Sequence, residues 1–226
     1  MPVETLMLKF KLLSVTTFGR GDGLPGQVDT EVEQDLYGLP FLRGRALRGL
    51  LAEEMESLLH ALGVDRAQPQ RDEKKKKWKD AGDRLLGVGG RMTDETGVMH
   101  VGDACLPDGV RRLVAVSMDE RKLAPVEVLE SLTAIRRQTA MTPFGAPEPA
   151  SLRAMRVVLP GTLFEAQLTF DEPLQDFDKA LLAATALAWR RAGAGRNRGR
   201  GSLRAWIQDD DWMRRHFDLF EQEVVR

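Results

Sequence analysis

Along residues 4–18 apolar and charged side chains alternate, with Leu6, Leu8, Phe10 and Leu12 on one face and Lys9 and Lys11 on the other. A period of two is the mark of a strand with one buried face, so this chain is committed to building a sheet. Short apolar runs at 98–106 and 112–118, bounded by Gly, Pro and Asp, read as further strands. Residues 153–159 and 162–170 flank Pro160-Gly161 and read as a hairpin, and 202–207 as a last short strand. Two helical patterns stand between them. At 43–62 an apolar stripe runs through Leu47, Leu50, Leu51, Met55, Leu58 and Leu59 and is closed by Gly63. At 173–192 small residues such as Ala183, Ala184 and Ala188 let a helix lie close to a sheet. Strand, helix, strands, hairpin, helix, strand is the order of an α+β protein. It predicts a ferredoxin-like, RNA-recognition-motif-like sheet with insertions.

A composition of 42% apolar and 30% charged residues suits one or two compact units, and residues 1–226 are expected to form a single domain. Two parts stand apart from the sheet. Residues 65–84, with Lys74 to Lys77 beside Trp78, predict a flexible basic insertion, and 209–226 a C-terminal helix. The formal net charge is −1, so no overall charge draws the chain to nucleic acid, and any basic site must be local. Cys105 is the sole cysteine, which leaves no internal disulfide and no ordinary thiolate zinc site and fits a cytoplasmic location. The opening residues lack the features of a secretory leader, and no stretch has the apolar length of a membrane span, so no membrane partner is expected. His60, His100 and His216 are scattered, which argues against a metal cage, although a loosely held Mg²⁺ leaves no sequence trace.

Positive charge is concentrated in three places. Between Trp189 and Arg204 stand Arg190, Arg191, Arg196, Arg198, Arg200 and Arg204 with no acidic residue, interleaved with Gly193, Gly195, Gly199 and Gly201. Guanidinium forks bind phosphate oxygens in pairs and exposed glycine N–H groups add donors, so a polyphosphate backbone is the natural ligand. Arg43, Arg45 and Arg48 open the first helix, where the dipole disfavours cations and a bound anion would relieve the conflict. Arg136, Arg137 and Gln138 precede a Pro- and Gly-containing stretch and so border irregular backbone within a 136–150 loop. Aromatic residues do not alternate as they do on a base-stacking sheet, so any nucleic acid would be held by its backbone.

Asp22, Asp29, Glu31, Glu33 and Asp35 crowd the loop before the basic helix. A carboxylate beside bound RNA can orient or deprotonate a ribose 2′-hydroxyl or hold Mg²⁺, but spacing alone prefers none of the five. Residues 21–26 meet the dinucleotide fingerprint formally, yet Pro25 and a polar stretch stand where a helix should open.

Segments in a fixed order resemble one family. The loop and helix start at 28–49, including Gly38-Leu39-Pro40 and Arg43-Gly44-Arg45, resemble a signature of the RAMP superfamily of CRISPR-associated proteins. Gly102-Asp103-Ala104 resembles that family's strand ending in Asp-Ala, and 193–201 its glycine-rich loop. Residues 135–140 with 160–164 resemble its thumb-like loop and following hairpin. The chain looks most like the repeating backbone subunit of type III effector complexes. That resemblance implies a guide RNA held by Arg43, Arg45, Arg48, Arg136, Arg137, Gln138 and the glycine-rich loop. It further implies a complementary target RNA, copies of the chain and other effector subunits as partners, and cleavage of the target at Asp29 with a divalent cation such as Mg²⁺ and no organic cofactor. Where the family shows Pro-Gly-Ser-Ser-Leu, this chain has Arg43-Gly44-Arg45-Ala46-Leu47, so the hydroxyl N-cap is missing. Three other readings stay open. They are a non-catalytic structural or cap RNA-binding subunit, a guide-processing ribonuclease with His60 as its one candidate histidine, and a nucleotide-dependent enzyme using 21–26.

Overall fold

The computed structural model describes residues 2–24, 26–88, 97–140, 142, 144, 145, 148 and 151–225. Pro25 of the early glycine loop, and Met141, Pro143, Ala146, Pro147, Pro149 and Ala150 of the thumb-like loop, lie outside the described residues. The chain runs through β1 (Glu4–Leu12), α1 (Gly44–Ala61), α2 (Glu73–Leu86), β2 (Met99–Val101), α3 (Asp108–Asp119) and α4 (Pro125–Leu132). It continues through β3 (Thr133–Gln138), β4 (Arg153–Val158), β5 (Leu163–Phe170), α5 (Asp176–Ala188), β6 (Leu203–Ile207) and α6 (Asp210–Val225).

The main sheet has the order β2-β5-β1-β6, and every neighbouring pair is antiparallel. With α1 and α5 it forms the βαββαβ plan of a ferredoxin-like fold, as the element order predicts. Leu6, Leu8, Phe10 and Leu12 are all buried. Phe10 stacks on its cross-strand partner Phe164, ring centroids 5.1 Å apart, while Trp189 closes edge-on at 5.0 Å. On the other face Lys9 pairs with Glu165 at 3.5 Å, so one face is core and the other meets water.

Three expectations are corrected. Residues 112–118 are not a strand: they lie inside α3, which follows Pro107 and carries Asp108 in its first turn. Its valines suggest a strand by composition, but Val114 and Met118, four residues apart, are the ones packed against the core. Residues 153–158 and 163–170 do not pair with each other. β4 pairs with β3 in a separate two-stranded sheet, and the chain crosses from one sheet to the other at Gly161, whose φ is +91°. Nor is 65–84 a loose basic arm, since most of α2 falls within it. Asp72 caps that helix by accepting from Lys74 N–H (2.9 Å) and Lys75 N–H (3.2 Å). Trp78, Ala81, Gly82 and Leu85 fall on one stripe and are buried, and the Trp78 ring sits between Phe177 (4.7 Å) and Phe220 (5.1 Å). Low apolar content hid a stripe that spacing alone would have shown.

The hydroxyl missing from the start of α1 is replaced from elsewhere in the fold. Arg43 makes no side-chain cap, but Asp103, following β2, accepts from Gly44 N–H at 2.6 Å. The anion that relieves this helix end is therefore the chain's own carboxylate. A Cβ on Gly44 would stand 2.2 Å from the Val101 carbonyl oxygen, so only glycine lets the helix start sit this close to β2.

Candidate functional site

The glycine-rich loop is clamped at its base and open at its tip. Ala192 N–H donates to the Gly201 carbonyl (2.9 Å), Gly201 N–H to that of Val15 (2.9 Å) and Ala194 N–H to that of Thr17 (3.0 Å). Gly193 and Gly201 have φ of +82° and +68°. A Cβ on Gly193 would lie 2.4 Å from Thr16 Oγ1, and one on Gly201 1.8 Å from the Ala192 carbonyl oxygen. These two glycines serve the loop's own packing. Beyond them Arg196–Arg198 form a 3₁₀ turn between Gly195 and Gly199, both left-handed, and a Cβ on Gly199 would meet nothing within 4 Å.

The tip faces the β3–β4 hairpin across a cleft of about 410 Å³ lined by Gln138, Met155, Arg196, Arg198 and Arg200. Met155 Sδ contacts both Gln138 Nε2 (3.5 Å) and Arg200 Nη1 (2.6 Å). Arg136 is the cross-strand partner of Met155, and alternation along the strand sends Arg137 to the opposite face. Burial, together with the positive charges of Arg136 and Arg198, holds the Arg200 guanidinium below the usual arginine range. Arg136 and Arg198 thus both act on Arg200, and no carboxylate is paired to any of the three among the described residues. Arg196 is different, for it makes a bidentate pair with Glu53 of α1 at 2.8 and 3.0 Å.

A second cavity of about 340 Å³ shares Gly193, Ala194 and Arg196 with the first and extends to Arg43 at the start of α1. The three basic clusters therefore meet along one surface. Besides Arg137, two residues leave it: Arg48 donates to the Leu86 carbonyl at the end of α2 (2.9 Å), and Arg45 is exposed with no ion-pair partner among the described residues. Arg43 is tied to Glu33 at 2.6 Å, which, with Asp103 nearby, raises its pKa further.

The acidic loop now sorts itself. Asp22 pairs with Arg20 (2.6 Å), and Asp35 accepts from Tyr37 and Leu39 N–H (2.9 and 3.0 Å) to close a turn. Glu31 is fully buried and bonded to Arg156 Nε at 2.8 and 3.1 Å. Asp29 has no cationic partner among the described residues. Its Oδ2 accepts from Ala154 N–H (2.6 Å), its own N–H donates to the Ala154 carbonyl (2.8 Å), and its side chain is exposed. It lines a separate cavity of about 350 Å³ with Gly26 and Val28, and its neighbour Thr30 bridges Met155 of the arginine cleft. Sequence reasoning missed Glu53, Met155 and Arg156, because each acts across the fold and none carries a local pattern; it picked out Asp103 within a motif but not its role in capping α1. Burial pushes the Cys105 thiol pKa up, away from the thiolate form that a nucleophile needs. His60 is an exposed residue in the last turn of α1.

An antiparallel βαββαβ sheet, a glycine-rich loop over its end and a projecting hairpin define a ferredoxin-like protein with a built cationic cleft. A family model described as the RAMP superfamily matches residues 9–204, and the chain belongs to that superfamily. A chain of the type III-B Cmr-beta complex bound to cognate target RNA matches with a TM-score of 0.62 at 11% identity, covering 91% of this chain and 98% of that one. A chain of the same complex in its apo state gives 0.61 at 12%, with the same coverage. At such identity the likeness establishes the fold. No curated protein matches the sequence. No helix among the described residues is long and apolar enough to cross a membrane.

Proposed function

We propose that this chain is an RNA-binding subunit of a type III CRISPR effector complex, holding a guide RNA by its backbone beside copies or relatives of itself and cutting complementary target RNA at Asp29. The observation that carries the RNA-binding part is that Arg198 and Arg200 line one open cleft, with the positive charge of Arg136 acting on Arg200 and no carboxylate paired to any of the three among the described residues. Like charges gathered without carboxylates store repulsion that a polyphosphate strand relieves. Family membership and the likeness to subunits of a complex bound to target RNA support the same assignment.

For cleavage, Asp29 is the acid of its loop that faces solvent without a cation beside it, so it is placed to take the proton of a ribose 2′-hydroxyl. The 2′-oxygen attacks the adjacent phosphorus as the 5′-oxygen leaves. A divalent cation such as Mg²⁺, when bound, supplies neutralisation of the phosphate charge. Among the described residues no group of three or more His, Cys, Asp or Glu is assembled, and Asp29 would offer such a cation its Oδ1. Phosphate and water would complete such a shell, as is usual for Mg²⁺.

One observation favours a non-catalytic subunit: Asp29 lies outside the arginine cleft, with one oxygen committed to Ala154 N–H. The assembled complex decides between the two. Asp29→Ala is expected to retain guide and target RNA while abolishing Mg²⁺-dependent cutting at regular intervals; unchanged cutting would remove Asp29 from the chemistry.

A further inference from the structure

The 340 Å³ cavity beside the arginine cleft is built for something other than phosphate. Its walls are Phe18, Phe41, Leu42, Ala46 and Leu50, an apolar lining within a charged neighbourhood. Both arginines at its rim are already neutralised, Arg43 by Glu33 at 2.6 Å and Arg196 by Glu53 at 2.8 Å. A second phosphate would gain little there and would lose water against apolar walls. A flat, mostly apolar group with a polar edge suits it better.

The polar groups that such an edge would meet are specific. Gly19 bridges Val32 in antiparallel fashion, flanked by the bonds from Arg20 N–H to Glu31 O (3.0 Å) and from Glu33 N–H to Phe18 O (2.8 Å). Gly19 therefore turns its own N–H and C=O away from Val32, to the side on which the Thr17 carbonyl accepts from Ala194. Neither Gly19 group has a partner among the described residues, and Gly19 lines the cavity. Glu33 also lines it: the side chain is 11% exposed, Oε1 is held by Arg43, and Oε2 has no partner among the described residues. The cavity thus offers one backbone donor and one backbone acceptor beside the free oxygen of a mostly buried carboxylate side chain.

We propose that this cavity takes one unstacked nucleobase of the bound RNA, and guanine in preference to uracil. Guanine presents an acceptor, O6, next to two donors, N1–H and N2–H; the Gly19 N–H serves the first and the Glu33 carboxylate the others. Uracil sets two carbonyls around a single N–H, which leaves an oxygen facing the carboxylate. The proposal rests on the reading of the arginine cleft as an RNA site, and it adds a base preference at one position to contacts that otherwise ignore sequence.

The test compares the affinity of the purified chain for a short oligouridine with that for the same oligomer carrying one central guanosine, by fluorescence anisotropy at fixed salt. Carboxylate-type pairing predicts about tenfold tighter binding of the guanosine oligomer. Glu33→Gln weakens the acceptor, and Ala46→Phe fills the cavity from an exposed helix position; each is expected to bring the ratio to about twofold or less. Because the readout is a ratio within one protein, a general change in affinity cancels. Binding of both oligomers with a ratio near one in the native chain, or a ratio that survives both substitutions, overturns the base pocket and leaves the RNA cleft standing. Failure to bind either oligomer overturns both.

Discussion

Replacing Arg156 with methionine tests how the acidic loop is held against the hairpin. Arg156 Nε reaches both oxygens of Glu31, Nη1 reaches Thr133 Oγ1 at 3.3 Å, and neither Arg156 (7% exposed) nor Glu31 (0%) has access to bulk water. Without the guanidinium, Glu31 keeps one bond in place, from Val32 N–H at 2.9 Å. Breaking a buried pair from one side costs about 3–5 kcal/mol, because the remaining charge stays out of water. For a chain of this size that is a fall in Tm of about 6–20 °C. The pair also sits beside the backbone bonds from Asp29 N–H to Ala154 O (2.8 Å) and from Arg156 N–H to Thr30 O (3.0 Å), so both amides should exchange faster with solvent. Calorimetry and hydrogen exchange measure the two effects. The double variant Glu31→Leu with Arg156→Met should recover most of the stability, since apolar side chains of similar size replace buried pairs at little cost. A single variant that loses less than about 1 kcal/mol would refute the claim that this pair is desolvated and decisive.

Further outcomes follow from the same structure. Arg198→Ala and Arg200→Ala should each weaken RNA binding and lower the slope of log affinity against log salt by about 0.7, the value for one phosphate contact on a single strand. Gly201→Ala should destabilise the fold severely, with its Cβ 1.8 Å from a backbone oxygen. Gly199→Ala, free of contacts, should cost only about 1 kcal/mol for its left-handed backbone; urea unfolding of the two variants separates packing from conformation. Burial, and then Lys179 and Arg215, push the His216 pKa down, so the unfolded chain binds more protons than the folded one as pH falls through about 6.5. Stability should therefore decline on acidification through that range, and His216→Gln should flatten this part of the profile.

Particular residues show what was legible in advance. The alternation of Leu6, Leu8, Phe10 and Leu12 and the stripe from Leu47 to Leu59 are periodic, local signals; the helix formed where expected, while the strand read over 4–18 ends at Leu12, where the alternation stops. Trp78 carried an equally periodic stripe, masked by the lysines around it. The strands around Pro160-Gly161 looked like one hairpin because a turn signal reports a change of direction and says nothing about which sheet each strand joins. Among the basic residues, Arg43, Arg48 and Arg196 were indistinguishable by type. Glu33, the Leu86 carbonyl and Glu53 claim them only across the fold.

The amino-acid order alone determined the ferredoxin-like plan and where positive charge and glycine accumulate, since periodicity, turn chemistry and composition act over a few neighbouring residues. Tertiary structure alone decided which arginines stay unpaired, which carboxylate is left facing solvent, and which glycines are needed for packing. Those outcomes depend on charges and backbone brought within a few ångströms from positions far apart in the chain, where distance and burial outweigh residue type.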